Sequence, residues 1–579
     1  MTTKPQKQWC YRPPEDARLV GELAASVGMP DLIGALLLQR GIDSPEEARA
    51  FLWPTLAQLP APQLLKGMDR AVQILGDAIR EQRPIIIYGD YDVDGVTGVA
   101  VLALFLKELG INCRCCQPSR FQQGYGFKAE LVEDASKNAI VITVDCGISD
   151  AAEVARAKAL GLTVIVTDHH QPPAQLPAAD AIINPLQPGC EFPFKHLAGV
   201  GVAFYLAMGL RAHLVESGYF ADPAAAPNLK AYLDLVAIGT ICDMTPLVEA
   251  NRIMTIAGLE VLATSNRPGL RYLFEIVKVS RQCVTAADIG CRVGPRLNAP
   301  GRLGAADLSL ELLMCDEPVQ AKALAEKIDN INRERQEIVR QVAEEATERA
   351  AERIEDGANA LVLHQKDWHG GILGIVASRL VDDYHRPTIL LSSRKDGLIK
   401  GSGRSVPGFD LHAALVTCAD LLENYGGHTA AVGLALQPER LAEFTARFEQ
   451  VVATQLDPEA LQPLLWVDQV ISGEELNHDI FMKGYQRLAP FGMGNPEPVF
   501  AVSQAMVLDN AKVVGRDHLK FTARINGSRW GGIGFGLGRY LDQVEGGLAL
   551  PAFNIRQNFF RGREEWQLSV VDISPPATI

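Results

Sequence analysis

The stretch Pro84-Ile85-Ile86-Ile87-Tyr88-Gly89-Asp90-Tyr91-Asp92-Val93-Asp94-Gly95 constrains this chain more than any other. An apolar run of strand length ends abruptly in three alternating carboxylates, and a helix-like segment follows over residues 96–109. Burying one carboxylate is costly, and three crowded ones repel each other unless cations neutralise them. Oxygen ligands at a strand tip point to hard divalent metals. The same letters open a calcium-binding helix-loop-helix hand, but that hand needs a bidentate Glu at its twelfth position. Counted from Asp90, that position is Val101, inside an apolar segment, so the hand is rejected.

Two further runs repeat the pattern. Residues 139–144 are apolar and end in Asp145-Cys146-Gly147, and residues 162–167 are apolar and end in Asp168-His169-His170. A helix-like segment, 149–160, lies between them. Continuous apolar strands separated by helices predict a parallel sheet covered on both faces. Ligands of such sheets gather beyond the carboxyl ends of the strands, where all three acidic clusters fall. Capping a helix accounts for one strand-end Asp, but not for three acidic strand ends and a His pair. Carboxylates with one or two imidazoles suit Mn²⁺ or Mg²⁺ better than a thiolate-rich zinc site. Two such ions about 4 Å apart can clamp the attacking and leaving oxygens of a phosphate ester. Asp145 is the candidate for the carboxylate they share. Read this way, the residues imply a two-metal phosphoesterase or pyrophosphatase.

Gly89-Asp90-Tyr91-Asp92-Val93-Asp94-Gly95, Thr143-Val144-Asp145-Cys146-Gly147-Ile148-Ser149 and Asp168-His169-His170 resemble the first three motifs of the DHH phosphoesterase superfamily. Asp234-Leu235-Val236-Ala237-Ile238-Gly239-Thr240-Ile241-Cys242-Asp243 resembles a fourth. Within the superfamily the chain is similar to the bacterial exonucleases specific for single-stranded DNA. That likeness takes in Pro118-Ser119-Arg120-Phe121 with Gly124-Tyr125-Gly126, and Leu197-Ala198-Gly199-Val200-Gly201-Val202-Ala203-Phe204. It continues in Gly294-Pro295-Arg296-Leu297-Asn298-Ala299-Pro300-Gly301-Arg302, Trp368-His369-Gly370-Gly371, Lys400-Gly401-Ser402-Gly403-Arg404-Ser405 and Gly426-Gly427-His428. Pro300 departs from the small residue usual there, and is expected to stiffen a loop.

The resemblance implies an α/β architecture: a parallel-sheet DHH domain and a DHHA1 domain joined by a long helix, plus a C-terminal β-barrel of OB-fold type. The expected segments are 1–55 at the N-terminus, 56–265 (DHH), 266–357 (helical linker), 358–460 (DHHA1, substrate-binding) and 461–579 (OB-fold). The long helix also shows in the residues, since 319–356 contain no Gly or Pro and Leu324, Ile328, Ile331, Ile338 and Val342 keep helical spacing. Such a helix can join two lobes.

The implied activity is 5′→3′ hydrolysis of single-stranded DNA to 5′-mononucleotides with two divalent cations, Mn²⁺ or Mg²⁺, in repair and recombination. Asp92, Asp94, Asp145, His169 and Asp243 would be ligands, with Asp90 a ligand or the neighbour of one. His170 would contact the scissile phosphate and Asp168 would orient a neighbour. Arg120, Arg302, Ser402 and Arg404 would hold the 5′-terminal phosphate, since guanidinium forks suit phosphate bidentately. Arg296, Asn298, Gly427 and His428 would line the same cleft.

No stretch of eighteen or more apolar residues appears, so no membrane span is expected. The polar N-terminus lacks an apolar signal core, and eleven cysteines with no pair of Cys-x-x-Cys motifs (only Cys113 and Cys116 have that spacing) fit a reduced, cytoplasmic protein. Cys113, Cys115 and Cys116 fall on a strand-like segment and read as core thiols. The net charge of −14 runs against nucleic-acid binding, but residues 512–563 carry nine basic and three acidic residues with interleaved aromatics. There Lys520, Arg524, Arg529 and Trp530 are candidates for holding a single strand by backbone charge and base stacking. A helicase and a single-strand-binding protein would be partners by family alone. Two alternatives stay open: a DHH phosphodiesterase for short oligonucleotides or cyclic dinucleotides, and a non-catalytic replication scaffold. The C-terminal barrel argues against the first and the intact acidic motifs against the second.

Overall fold

The structure, a computed structural model, describes residues 5–118, 124–305, 307–393, 397–476, 478–515, 517–525, 527–544, 548–560 and 563–574. The chain forms two compact units. One comprises Glu46–Glu334 with Arg487–Pro496, and the other comprises the residues up to Pro45, Arg335–Gln486, and those from Glu497 onward.

The first unit is built on the predicted parallel sheet. Its five strands run in the order Cys113–Cys116, Ile85–Gly89, Ile140–Val144, Thr163–Thr167 and Ala181–Ile183. Successive side chains alternate faces. Ile85, Ile87, Ile140, Ile142, Val144 and Ile165 therefore enter one core. Ile86, Tyr88, Val141, Val164 and Val166 enter the other, so the strands read as unbroken apolar runs. Full burial of each such side chain contributes roughly 1.5–3 kcal/mol. On the first face, the helix Val93–Glu108 is buried along nearly its whole length against the helices Gly199–Glu216 and Leu233–Cys242.

Two local readings change here. The helix expected from residue 96 starts at Val93, because the Asp92 carboxylate caps it, accepting from the N–H groups of Asp94 (2.9 Å) and Gly95 (3.2 Å). Asp94 thus stands in the first helical turn rather than in a loop. The Gly294-to-Arg302 motif is no loop either. It is the helix Gly294–Leu303, entered through a π-helical turn at Ile289–Val293, with Pro300 buried inside it. A proline there removes the N–H that would donate to the Arg296 carbonyl.

The long helix is a single element, Pro318–Glu355, and runs through the boundary between the units at Glu334. Its first half gives Leu324, Ala325 and Ile328 to the core of the first unit, and its second half gives Val342, Ala343, Ala346 and Ala350 to the second.

The second unit holds a five-stranded sheet in the order Asn424–His428, Ala431–Leu436, Ile399–Arg404, Thr388–Ser393, Leu361–His364, in which only the last pair is parallel. It also holds the barrel. Met506–Val514, His518–Ile525, Ser528–Gly534, Arg563–Ser574 and Leu548–Phe560 pair in sequence, and the last returns to the first, which closes a five-stranded ring. Near the N-terminus, Gln8–Tyr11 pairs in parallel with Leu464–Val467. Among the described residues no single helix is long and apolar enough to cross a membrane.

Candidate active site

Sheet register brings the acidic ends together. Gly89, Val144 and Thr167 are register neighbours. The ladder then runs one residue further: Asp90 N–H donates to the Val144 carbonyl (3.2 Å), Asp145 N–H to Thr167 (3.0 Å) and Asp168 N–H to Ile183 (3.1 Å). Asp90, Asp145 and Asp168 therefore stand side by side beyond the carboxyl edge, on strands about 4.8 Å apart.

Each carboxylate of the cluster is held differently. Asp94, buried, accepts from the N–H groups of Gly199 (2.6 Å) and Val200 (2.8 Å), the first turn of the helix Gly199–Glu216. Helix N-termini favour such an anion. Asp145 has a left-handed backbone, φ 60°. It packs so closely on Gly199 that a Cβ there would lie 2.6 Å from the Asp145 Cβ. Asp243 follows directly on the helix Leu233–Cys242. At the other end of that helix Asp234 is buried against Ser265 (2.8 Å) and Arg267 (2.9 Å), a structural anchor.

The ligand-type atoms form three overlapping groups: Asp90, Asp92 and Asp145; Asp94, His169 and Asp243; and Asp145, His169 and His170. Within each group they lie within 4.8 Å of one another, and Asp145 belongs to two. His169 Nε2 is 3.1 Å from Asp145 Oδ1, 3.7 Å from Asp243 Oδ2 and 3.8 Å from Asp94 Oδ2. Yet His169 Nε2, Asp145 Oδ1 and Asp243 Oδ2 make no hydrogen bond. The ring's hydrogen bond goes to the Leu197 backbone, which leaves Nε2 as the lone pair, and burial pushes its pKa down to about 4.

Burial, then Asp92, pushes Asp94 up to about 7, and burial, then Asp94, pushes Asp243 up to about 10. Burial and the neighbouring carboxylates push Asp145 up well beyond the usual carboxylate range. A buried cluster that is all acceptor and no donor is unfavourable by itself and fits a set of hard cations.

Asp168 and His170 do separate work. Asp168 Oδ1 accepts from the N–H groups of His169 (2.7 Å) and His170 (3.0 Å) and from His170 Nδ1 (2.8 Å), and its other oxygen accepts from Ile148 N–H (3.0 Å). Burial would raise Asp168, but these bonds leave it lowered. Burial likewise works to lower His170, but the bond to Asp168 wins and raises it. Asp168 thus organises the turn carrying both histidines. The Tyr125 hydroxyl sits 3.1 Å from His170 Nδ1 and 3.4 Å from the Asp145 carbonyl.

A cavity of about 310 Å³ opens on this cluster, lined by Asp90, Tyr91, Asp92, Tyr125, Asp243, Met244, Asn298 and Arg302 among others. Asn298 also caps, its Oδ1 accepting from Val93 N–H (3.1 Å). Arg296 does not line the cavity. Its Nε is paired with the buried Asp329 at 2.8 Å and its Nη1 donates to the Arg292 carbonyl, which ties its guanidinium to the long helix and to the π-helical turn before its own helix rather than to the cavity. Arg120 lies outside the described residues.

In the second unit, Ser402 and Arg404 project from the same face of the strand Ile399–Arg404, being two residues apart. The Arg404 guanidinium lies over Gly374, where a Cβ would come within 2.7 Å of Nη2. His428 and Gly427 are exposed at the end of Asn424–His428. In the barrel, Lys520 and Arg529 are exposed, and Arg524 is exposed but paired with Asp509 (2.5 Å). Trp530 is only 7% exposed and belongs to the barrel core, so it is unavailable for base stacking, because inward positions alternate with outward ones along a strand. Among the described residues Phe535 is an exposed aromatic there (59%), with His518 edge-on against it.

Beyond the expected residues, the structure adds Met244, the Asn298 cap and the Tyr125–His170 contact to the site. The quoted motifs contained Tyr125 and Asn298, but nothing in their spacing discloses a partner. Met244 was findable as an apolar residue directly after a ligand-type Asp.

Acidic strand ends in register, a paired His turn and a helix N-terminus gripping one carboxylate define a DHH phosphoesterase. The DHH family's N-terminal domain matches residues 84–240, the DHHA1 domain 357–454 and the RecJ OB domain 467–572. The single-stranded-DNA-specific exonuclease RecJ of Salmonella typhimurium is 39% identical over 565 residues, covering 94% of this chain and 96% of the relative. That of Bacillus subtilis is 37% identical, covering 97% and 70%. The crystal structure of Thermus thermophilus RecJ with Mn²⁺ matches with TM-score 0.82 at 30% identity, covering 99% of this chain and 80% of the other. The Mg²⁺ complex from the same organism matches with TM-score 0.74 at 27% identity, covering 99% and 79%. The chain belongs to the RecJ family.

Proposed function

We propose that this protein hydrolyses single-stranded DNA in the 5′→3′ direction, releasing 5′-mononucleotides with two divalent cations, Mn²⁺ or Mg²⁺, in DNA repair and recombination. The observation that carries this reading is the buried cluster of Asp145, His169, Asp94 and Asp243, in which His169 Nε2, Asp145 Oδ1 and Asp243 Oδ2 meet no donor, beside a cavity lined by Asp90, Asp92 and Asp243. Asp90, Asp92, Asp94, Asp145, His169 and Asp243 would hold the cations, with Asp145 shared. When bound, the cations supply Lewis acidity: they neutralise charge on the phosphodiester and lower the pKa of water, so no side-chain nucleophile is needed.

The chain's own residues do the rest. His170, fixed by Asp168 and touched by Tyr125, offers a ring N–H to the scissile phosphate. Arg302, on the same cavity, binds the terminal phosphate through its fork. Asn298 lines the wall beside it. Ser402, Arg404, Gly427 and His428 are proposed for phosphate and strand contact from the second unit, and Arg120 keeps its role by family resemblance. A metal centre alone does not choose strand polarity, so the terminal-phosphate contact must choose it. Lys520, Arg524 and Arg529 on the barrel would hold the longer strand. A helicase and a single-strand-binding protein are the partners this reading calls for. Eleven free thiols support a reducing, cytoplasmic setting.

With Mn²⁺, an oligonucleotide bearing a 5′ label should lose it at once as mononucleotide, while a 3′-labelled one shortens in a ladder. A 5′-phosphate should be preferred to a 5′-hydroxyl, and Arg302→Ala should shrink that preference. Digestion beginning at the 3′ end, or equally fast on blunt duplex, would overturn the reading.

A further inference from the structure

Directly after Asp243 the backbone of Met244 turns into the left-handed region, φ 58°. Its side chain is 67% exposed, lines the cavity and buries little within the fold. The surrounding backbone is pinned. Met244 N–H donates to the Ile241 carbonyl (3.3 Å), Thr245 Oγ1 to Thr240 (3.2 Å) and Leu247 N–H to the Met493 carbonyl (2.7 Å). The acceptor of that last bond belongs to Arg487–Pro496, the segment that packs within this unit. The segment is itself stapled down. The buried Arg252 guanidinium donates to the carbonyls of Arg487 (2.8 Å) and Leu488 (3.0 Å). The buried Asn495 amide donates to Leu488 and Pro490 (2.8 Å each). Met493, on this segment, is 53% exposed. Two flexible thioethers are thus presented to solvent by backbone that is tied in place, one of them on the wall that carries Asp90, Asp92 and Asp243.

A phosphodiester placed at those carboxylates brings the attached sugar and base to the cavity wall, where Tyr91, Tyr125 and Met244 offer apolar surface. We propose that Met244 is the surface on which the nucleobase beside the scissile phosphate packs, so that the enzyme reads an unpaired base by its face. The inference rests on the exonuclease reading above. Every base has a π-face, so such a contact tolerates sequence, and a thioether adapts to purine and pyrimidine alike. A base stacked and paired in duplex cannot offer that face.

The test uses the full-length enzyme with Mn²⁺ and 5′-phosphorylated oligonucleotides that differ in one nucleotide, normal or abasic, at the 5′ end or next to it. Wild-type kcat/KM should be higher for the normal strand at one of these positions. Met244→Ala should shrink that preference by about two- to tenfold, mainly through KM. Met244→Leu should keep most of it. An Mn²⁺-induced thermal shift checks that each variant is folded. A wild-type enzyme indifferent to the abasic nucleotide, or a Met244→Ala enzyme with undiminished preference, overturns the inference alone. Failure of the wild type to digest any strand would overturn the exonuclease reading with it.

Discussion

Asp145 concentrates the demands of the site on one residue. It is buried, its backbone is left-handed, and its Oδ1 faces two imidazoles and no donor. Left-handed backbone in a non-glycine residue costs on the order of 1 kcal/mol, and a buried carboxylate among carboxylates costs more. Asp145→Asn should therefore melt at a higher temperature than wild type without metal, yet lose Mn²⁺-dependent cleavage and most Mn²⁺ binding. A variant with a tenth of wild-type turnover would show that Asp145 is not the shared ligand.

The same crowding sets a pH dependence. Asp94 near 7 and Asp243 near 10 lie above the value of an unfolded aspartate, so the metal-free fold binds more protons than the unfolded chain. Stability from these groups is fully present below about pH 4 and is lost as pH rises through 7 towards 10. Cations relieve that loss. The Mn²⁺-induced rise in Tm should accordingly be larger at about pH 8.5 than at about pH 6. Equal increments at both would mean that these carboxylates do not bind the ion.

At the scale of elements, the sequence disclosed what period and burial control. Strands covered on both faces must be apolar throughout, and their abrupt acidic ends mark the ligand edge, so Asp90, Asp145 and Asp168 were legible together with their shared location. Contacts that depend on a partner far along the chain were not. Nothing in Arg296 announces Asp329, and nothing in Trp530 says whether its side of the barrel strand faces in or out. The start of the helix after the first acidic strand end moved to Val93 because Asp92 caps it. Gly199 belongs with these long-range features. A Cβ there would meet the Asp145 Cβ at 2.6 Å and its Oδ1 at 2.8 Å, and the same residue's N–H holds Asp94. Overpacking of this kind costs about 1–3 kcal/mol. Gly199→Ala should weaken Mn²⁺ binding by about tenfold, measured by calorimetric titration, while leaving the long-strand affinity of the barrel in place. Unchanged Mn²⁺ affinity would mean that the helix shifts to accommodate the methyl group.

For the whole molecule, chain order and spatial order part company at Arg487–Pro496, which precedes the barrel strands in sequence but packs with the phosphoesterase unit through Arg252 and the Leu247 N–H. The boundary at residue 461 that the family resemblance implies places that segment with the barrel, as does the OB-domain match over residues 467–572. Charge is divided just as unevenly. The chain carries −14 overall, while residues 512–563 hold nine basic and three acidic residues. Net charge governs solubility and non-specific association, whereas a strand is gripped where exposed cations follow its phosphates. Lys520 and Arg529 are exposed on neighbouring barrel strands, Lys520 opposite Ile533 and Arg529 opposite Arg524 in the register of the pair. If they neutralise two phosphates, the Lys520→Glu/Arg529→Glu protein should bind a long single strand more weakly. The slope of log affinity against log salt should then fall by about 1.4, at about 0.7 per phosphate. Hydrolysis of a dinucleotide at the metal cluster should be unaffected. Wild-type affinity and slope in the double variant would take the barrel's basic face out of strand binding and leave the phosphoesterase unit to hold the strand by itself.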